Sequence, residues 1–344
     1  MIAMQHGGLH RTEHQELPQS DFYAWDGRRA EPLYREPREN YRRYVPDHWE
    51  YEVLGLKFGT SVISHGRMGR TRQVIRCIAE EVDYLLRNPE KRRRVYIVTS
   101  GAVGMGKKAV EANPRYRDLK MDGLGESDRK RLLAGIGQPD LTGLYREYFG
   151  ERGIIFSQSL VTHADFADDR TRTELLAKYA QYMEDGIVPV INEDDLRSPE
   201  GMEDDNRIFR DNDGLFALLT IGLAGSDTYK GKMMAGILTD QRGIRPGAYF
   251  NGERGESVED RVIRVVMDPA GLESQVAEEV DGKGRGWAWS KIDAMGSMAS
   301  QGIPGFVAYG GYDRIHRKSH PFTPIRDAVE GLCVGTRFVP PQFW

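Results

Sequence analysis

Cysteine is scarce in this sequence: Cys77 and Cys333 are the two among 344 residues. They build neither a disulfide framework nor a CxxC metal signature. Both sit in apolar surroundings and read as small core residues, which fits a reducing, cytoplasmic compartment. Long apolar runs are missing as well; none approaches the ~18–20 residues of a membrane span. Residues 1–14 are polar and lack the apolar stretch of a signal peptide. A soluble protein with no membrane partner is expected. Charge of one sign is also missing. Lys and Arg number 48 against 52 Asp and Glu, for a formal net charge of −4. That balance gives no general pull toward nucleic acid, although a local basic site for phosphate stays open. Two phosphate-binding signatures are absent too. There is no GxxxxGKS/T loop, which excludes a P-loop enzyme, and no GxGxxG turn after the first strand, which weakens a dinucleotide reading.

What is present is an alternation of strand and helix patterns from Glu52 onward. Val53–Phe58 is strand-like and ends in Gly59. Within Arg70–Leu86, Val74, Ile78, Val82 and Leu85 recur at helical spacing. Val95–Thr99 is a short apolar run of the kind a buried parallel strand shows. Helix follows over Asp128–Phe149, strand over Ile154–Phe156, helix over Thr171–Glu184 and strand over Ile187–Ile191. Helix over Asp213–Leu223, strand around Gly236–Leu238, helix over Lys291–Ser300 and strand over Gly305–Tyr309 complete the pattern. Such alternation predicts an α/β fold: an open, largely parallel sheet with helices on both faces, an αβα sandwich. Residues 1–48 differ. They mix charges with aromatics such as Phe22, Tyr23, Trp25 and Tyr44, and Pro18, Pro32, Pro37 and Pro46 forbid a long helix. They read as an arm lying on the main body, residues 49–344, or on a neighbouring subunit.

Ligands of open α/β sheets bind outside the carboxyl ends of the strands. Here those ends carry Lys57-Phe-Gly-Thr-Ser61, Thr99-Ser-Gly-Ala102, Asn192-Glu-Asp-Asp195 and Leu238-Thr-Asp240. At the first, Lys57 offers a point charge, and Gly59 offers a backbone that an anion can approach closely. A lysine at a strand end is ordinarily just solvated, so this signal is weak by itself. The segment Gly282 to Lys291, GKGRGWAWSK, opens a helix and could cradle phosphate or be a surface loop. Phe209-Arg-Asp-Asn-Asp213 precedes an apolar helix. One residue suffices for a helix cap, so three acidic or amide groups in a row leave some free for another task.

The ordered series KFGTSVIS, TSGAVGMG, AGIGQ, SLVTHADF, VPVINEDD, FRDND, LTD and the late Ser-Lys helix resembles the glutamate 5-kinase branch of the amino-acid kinase family. The resemblance runs from about Val53 to Phe338. It implies an ATP- and Mg²⁺-dependent kinase that phosphorylates the side-chain carboxylate of glutamate or a close analogue. Lys57 and Lys291 would flank the transferring phosphoryl group, with Asp213 holding the lysines. Ser100, Asn192, Asp195 and Asn212 would grip the amino acid. Gly59, Thr60, Thr239 and Asp240 would contact the nucleotide, with Gly284, Gly286 and Ser290 around its phosphates, and no metal ligand is assigned to the protein. The family also implies a homo-oligomer and a downstream acyl-phosphate reductase partner. A carboxylate acceptor needs no general base, because it is ionised at neutral pH. The reaction needs positioning and charge neutralisation.

The sequence departs from the family pattern in several places. The glycine loop reads GRGWAWSK from Gly284 to Lys291, with two tryptophans at small positions. Asp194 replaces an asparagine and Arg210 a glycine. Ser226–Lys232 and Gly247–Gly255 read as insertions, and the RNA-binding-like domain of many bacterial members has no counterpart in this sequence. These changes keep two other readings open: a kinase of another small acid, and a non-catalytic nucleotide-binding or regulatory protein on the same fold. Were Arg210 aimed into the site, it would favour a longer or more anionic acceptor.

Overall fold

The computed structural model describes residues 22–25, 30–32, 51–64, 68–88, 93–116, 121, 123–197, 212–245, 262–269, 272, 276, 287–312, 323–331 and 334–343. Cys333, Arg210, Gly284 and Gly286 lie outside them. The strands are β1 (Phe22–Trp25), β2 (Ala30–Pro32), β3 (Val53–Phe58), β4 (Arg94–Val98), β5 (Phe156–Val161), β6 (Val188–Glu193), β7 (Met233–Thr239), β8 (Val262–Val266), β9 (Gly305–Tyr309) and β10 (Thr336–Phe338). The helices are α1 (Thr60–Ile63), α2 (Met68–Arg87), α3 (Ala102–Ala112), α4 (Glu126–Gly150), α5 (His163–Ala167), α6 (Asp169–Glu184), α7 (Asn212–Ala224), α8 (Trp287–Ser300) and α9 (Pro324–Val329).

All ten strands among the described residues form one sheet, in the order β2-β1-β8-β10-β9-β7-β3-β4-β6-β5. The run from β9 to β5 is parallel throughout. Antiparallel pairing occurs at β10–β9 and β1–β2. The sheet is therefore open and largely parallel, as the alternation predicts. The arm contributes to it: β1 pairs in parallel with β8, Phe22 opposite Val262 and Trp25 opposite Val266. The sequence pattern misses β8 and β10, which are short, five residues and three. It also shortens β5. The expected strand over residues 154–156 runs instead through Phe156–Val161. β5 is the last strand of the sheet, with mixed burial, so its polar Ser157, Gln158 and Ser159 hide it from a search for apolar runs.

Period-two alternation sorts each strand between two cores. Leu54, Leu56 and Phe58 of β3 join a cluster with Val74, Ile78 and Val82 of α2 and with Leu141 and Tyr145 of α4. Val53 faces the other cluster, with Leu215 and Phe216 of α7 and Ile292 and Met295 of α8. Helices thus cover both faces of the sheet. Cys77 is buried and forms no disulfide among the described residues. Among the described residues, no helix is long and apolar enough to cross a membrane.

Candidate active site

The same parity sets the site. Lys57 is two residues beyond Gly55 and four beyond Val53, so it faces α7 and α8. Ser100 shares the parity of Tyr96 and Val98, which lie in the α7/α8 core. Thr99 shares the parity of Val95 and Ile97, and Asn192 that of Val188 and Val190; all four of those valines and isoleucines lie in the core that includes α4. Contacts follow this division. Thr99 Oγ1 meets Tyr145 Oη of α4 at 2.9 Å. Asn192 Nδ2 donates to Gln138 Oε1 of α4 at 2.9 Å. Asn212 Nδ2, at the start of α7, donates to Ser100 Oγ at 2.8 Å.

Asp213 is the centre of the arrangement. Its Oδ2 accepts from Lys291 Nζ at 3.0 Å and from Ser290 Oγ at 2.8 Å, both on the first turns of α8. Its Oδ1 is ion-paired with Lys57 Nζ at the end of β3. All three charged residues are buried, with exposures of 6% for Lys57, 5% for Lys291 and 2% for Asp213. Burial by itself would raise the Asp213 carboxyl. The charges of Lys57 and Lys291, with hydrogen bonds from Lys57 and Ser290, outweigh it and hold the group well below the usual carboxylate range. The carboxyl therefore stays ionised, and the trio carries a net charge of +1 in a buried place. A buried surplus of positive charge is unfavourable unless an anion arrives to balance it.

The order of strands arranges the remaining residues along a line. Phe58 pairs with Leu238 and Leu56 with Ile97, so β3 lies between β7 and β4. At the end of β7, buried Thr239 donates through Oγ1 to Asp240 Oδ1 at 3.1 Å, and the Thr239 carbonyl accepts from Gly310 N–H at 2.7 Å. On the other side of Lys57 stand Ser100, then Asn192. With neighbouring strands ~4.8 Å apart, the ends of β7 and β6 are separated by three steps, roughly 14 Å. Lys57 thus sits between the segment expected to meet nucleotide and the segments expected to meet the acceptor.

The Gly59 N–H donates to Leu238 O at 3.0 Å. That hydrogen bond ties β3 to β7 at the start of the segment expected to meet the nucleotide. Thr60 follows Gly59 as an exposed residue opening the one-turn helix α1. Asp195 is half-buried in the turn after β6. Nearby, Arg197 spans Asp165 at 3.6 Å and Asp194 at 3.8 Å, and His163 Nδ1 lies 3.7 Å from Glu193 Oε1.

Gln138 carried no role in the sequence reading, although it closes the AGIGQ motif. Its place depends on a close helix crossing. A Cβ on Gly137 would lie 2.0 Å from Ala102 O, and one on Gly106 would lie 1.9 Å from Leu133 O. Larger residues would push α3 and α4 apart, and Gln138 would move with α4. The glycine before the glutamine was the signal available in the sequence. The loop before α3 makes its own demand: Gly101, next to Ser100, has φ of 105°, a left-handed backbone that glycine adopts without strain.

Residues 56–249 match the amino acid kinase family. Glutamate 5-kinase of Cronobacter sakazakii is 31% identical over 293 residues, spanning 85% of this chain and 70% of that protein. Glutamate 5-kinase of Photorhabdus laumondii is 31% identical over 290 residues, spanning 83% of this chain and 68% of its own. Among solved structures, one of isopentenyl phosphate kinase overlaps 83% of this chain and 99% of its own, at 16% identity and a TM-score of 0.45. The match over more than half the chain, together with relatives above 30% identity, means that this chain belongs to the amino acid kinase family.

Proposed function

We propose that this protein transfers the γ-phosphoryl group of ATP to the side-chain carboxylate of glutamate or a close analogue, giving an acyl phosphate. The observation that carries the reading is the buried Lys57–Asp213–Lys291 trio, with its surplus positive charge, between the Thr239–Asp240 and Ser100–Asn192 ends. The two lysines neutralise charge on the transferring group. Asp213 holds both ammonium groups in place, so that little reorganisation is needed as charge develops. The Ser100 hydroxyl accepts from Asn212, which leaves its own proton for a carboxylate or phosphoryl oxygen.

Mg²⁺ fits the donor set as an ion held chiefly by nucleotide phosphates, its usual habit in kinases. It would supply further neutralisation of the β- and γ-phosphates. Among the described residues, no group of three or more His, Cys, Asp or Glu side chains could hold a metal ion by itself. A cytoplasmic setting, a homo-oligomer and a reductase that consumes the labile product belong to the same proposal.

Coupled ADP release across glutamate, aspartate and aminoadipate tests the acceptor, with hydroxylamine trapping of the acyl phosphate as an independent readout. Glutamate is expected to give the highest kcat/KM and a hydroxamate product. ADP release without hydroxamate would overturn the carboxylate acceptor. A higher rate with another acid would favour the specialised kinase, a reading supported by Asp194, whose carboxylate is drawn toward Arg197. Asn212→Ala and Asp195→Ala are expected to raise KM for the acceptor at least tenfold more than KM for ATP. Asp195 is taken here to meet the substrate ammonium by a charge-assisted contact. Equal effects on both substrates would refute this division.

A further inference from the structure

The acceptor end contains two buried amide oxygens that have no hydrogen-bond partner among the described residues: Asn192 Oδ1 and Asn212 Oδ1. Asn192 is 2% exposed. A buried acceptor without a donor costs about 1–3 kcal/mol, so an amide that could turn to avoid this would be expected to do so. The reason Asn192 does not turn lies one contact further back, on α4.

Thr142 Oγ1 donates to the Gln138 carbonyl at 2.9 Å. With its single proton committed there, the hydroxyl can only accept from the Gln138 side chain, and Gln138 Nε2 lies 3.4 Å away. That orients Gln138 with Nε2 toward Thr142 and Oε1 toward β6. Gln138 Oε1 in turn accepts from Asn192 Nδ2 at 2.9 Å. Asn192 is left with its NH₂ committed and its oxygen bare. Each group in the chain has its orientation set by the one before it, and the last presents an acceptor.

We infer that Thr142 and Gln138 are positioning residues, which fix the Asn192 amide so that its oxygen selects a hydrogen-bond donor on the acceptor substrate. Neither residue needs to touch the substrate. The chemical group that answers a bare, buried amide oxygen beside Glu193, Asp194 and Asp195 is an ammonium group. The relay therefore discriminates an amino diacid from the same diacid without its amine. This rests on the proposed carboxylate-kinase reading, which it refines.

The test compares glutamate with glutarate, its deaminated counterpart, the latter measured as substrate or as competitor of glutamate. Thr142→Val removes the hydroxyl at nearly constant shape, and Gln138→Met removes the amide at similar length. Each is expected to lower the preference for glutamate over glutarate about tenfold, the worth of one hydrogen bond to a charged group. KM for ATP should stay within twofold. Thr142→Ser keeps the hydroxyl, and Gln138→Glu can still accept from Asn192, so both should retain the preference. They also guard against a result that reflects misfolding. Equal loss for glutamate and glutarate, or loss of preference in the rescuing variants too, would overturn the relay and leave a purely structural contact. An active wild-type enzyme whose preference survives Gln138→Met would also overturn it, with the proposed reaction intact. A wild-type protein that phosphorylates no acidic amino acid would instead overturn the proposed reaction, and this inference with it.

Discussion

Asp213 and Glu81 are both buried carboxylates, and their surroundings drive them in opposite directions. Asp213 lies at the carboxyl end of the sheet between two lysines, and its carboxyl is held well below the usual range. Glu81 lies on α2, where its partners carry no net positive charge. Tyr312 Oη donates to Oε1, and the backbone N–H groups of Ile325 and Arg326 donate to Oε2 at 2.8 Å each. Burial pushes Glu81 up to about 8; the three hydrogen bonds oppose this and do not overcome it, and the charge of Asp327 adds to it. The difference teaches that dipoles alone do not hold a buried carboxylate in its charged form here, whereas two ammonium groups do. One carboxylate organises charge for an anion. The other anchors the first turn of α9 and Tyr312 to α2.

The largest effect should come from removing the cations of the first region. Lys57→Ala and Lys291→Ala are each expected to lower kcat by at least 10²-fold, with the fold retained, because these charges act mainly on the transition state. Steady-state kinetics with circular dichroism as a control will show it. Near wild-type kcat in either variant would remove that lysine from the proposed mechanism.

Asp213→Asn should come next, by leaving two buried ammonium groups side by side. The expected loss is about 3–5 kcal/mol of stability, read by denaturant unfolding at pH 7. The sign with pH follows from the depressed value. The contribution of Asp213 is complete above the unfolded carboxylate value near ~3.9 and is lost as pH falls through the folded one. The variant should therefore lose part of the acid limb of the stability profile. ATP should restore part of the lost stability, since its phosphates can balance the lysines.

Glu81→Gln sharpens the contrast from the other side. With a folded value raised from 4.5 to about 8, Glu81 gives its full contribution below ~4.5, and that contribution declines until pH passes about 8. Unfolding midpoints between pH 5 and 9 should fall with rising pH in the wild type and fall less in the variant. An equally steep slope in both would show that Glu81 is ionised throughout. The smallest effect is expected from a buried pair with no charge. Tyr96 and Thr220 share a 2.6 Å hydrogen bond within the core. Thr220→Val should cost about 1–3 kcal/mol, with no pH dependence between 5 and 8, which isolates burial from charge.

Strand alternation was readable in the sequence because buried parallel strands are short apolar runs, and β3, β4, β6, β7 and β9 all have that character. The strand ends Lys57, Ser100, Asn192 and Thr239 followed from it. Other parts could not be read this way. β1 belongs to the sheet through pairing with β8 across more than 230 residues of chain, and β2 through pairing with β1, which leaves no local pattern for the sheet's extension. The tie from the Gly59 N–H to Leu238 O depends on β7 lying beside β3, which no local pattern states. Gln138 stands in a motif, but its role depends on how closely α3 and α4 cross.

The sequence alone determined which strand residues share a face, because side chains alternate along a strand whatever surrounds it. It therefore fixed that Lys57 faces one layer of helices and Asn192 the other. It could not determine what meets them there. Asp213 lies 156 positions from Lys57 along the chain, and Ser290 and Lys291 lie 77 and 78 from Asp213. Only the packing of α7 and α8 over the end of β3 brings one carboxylate between two ammonium groups. Charge interactions of this strength depend on distance and burial, and both are properties of the folded chain.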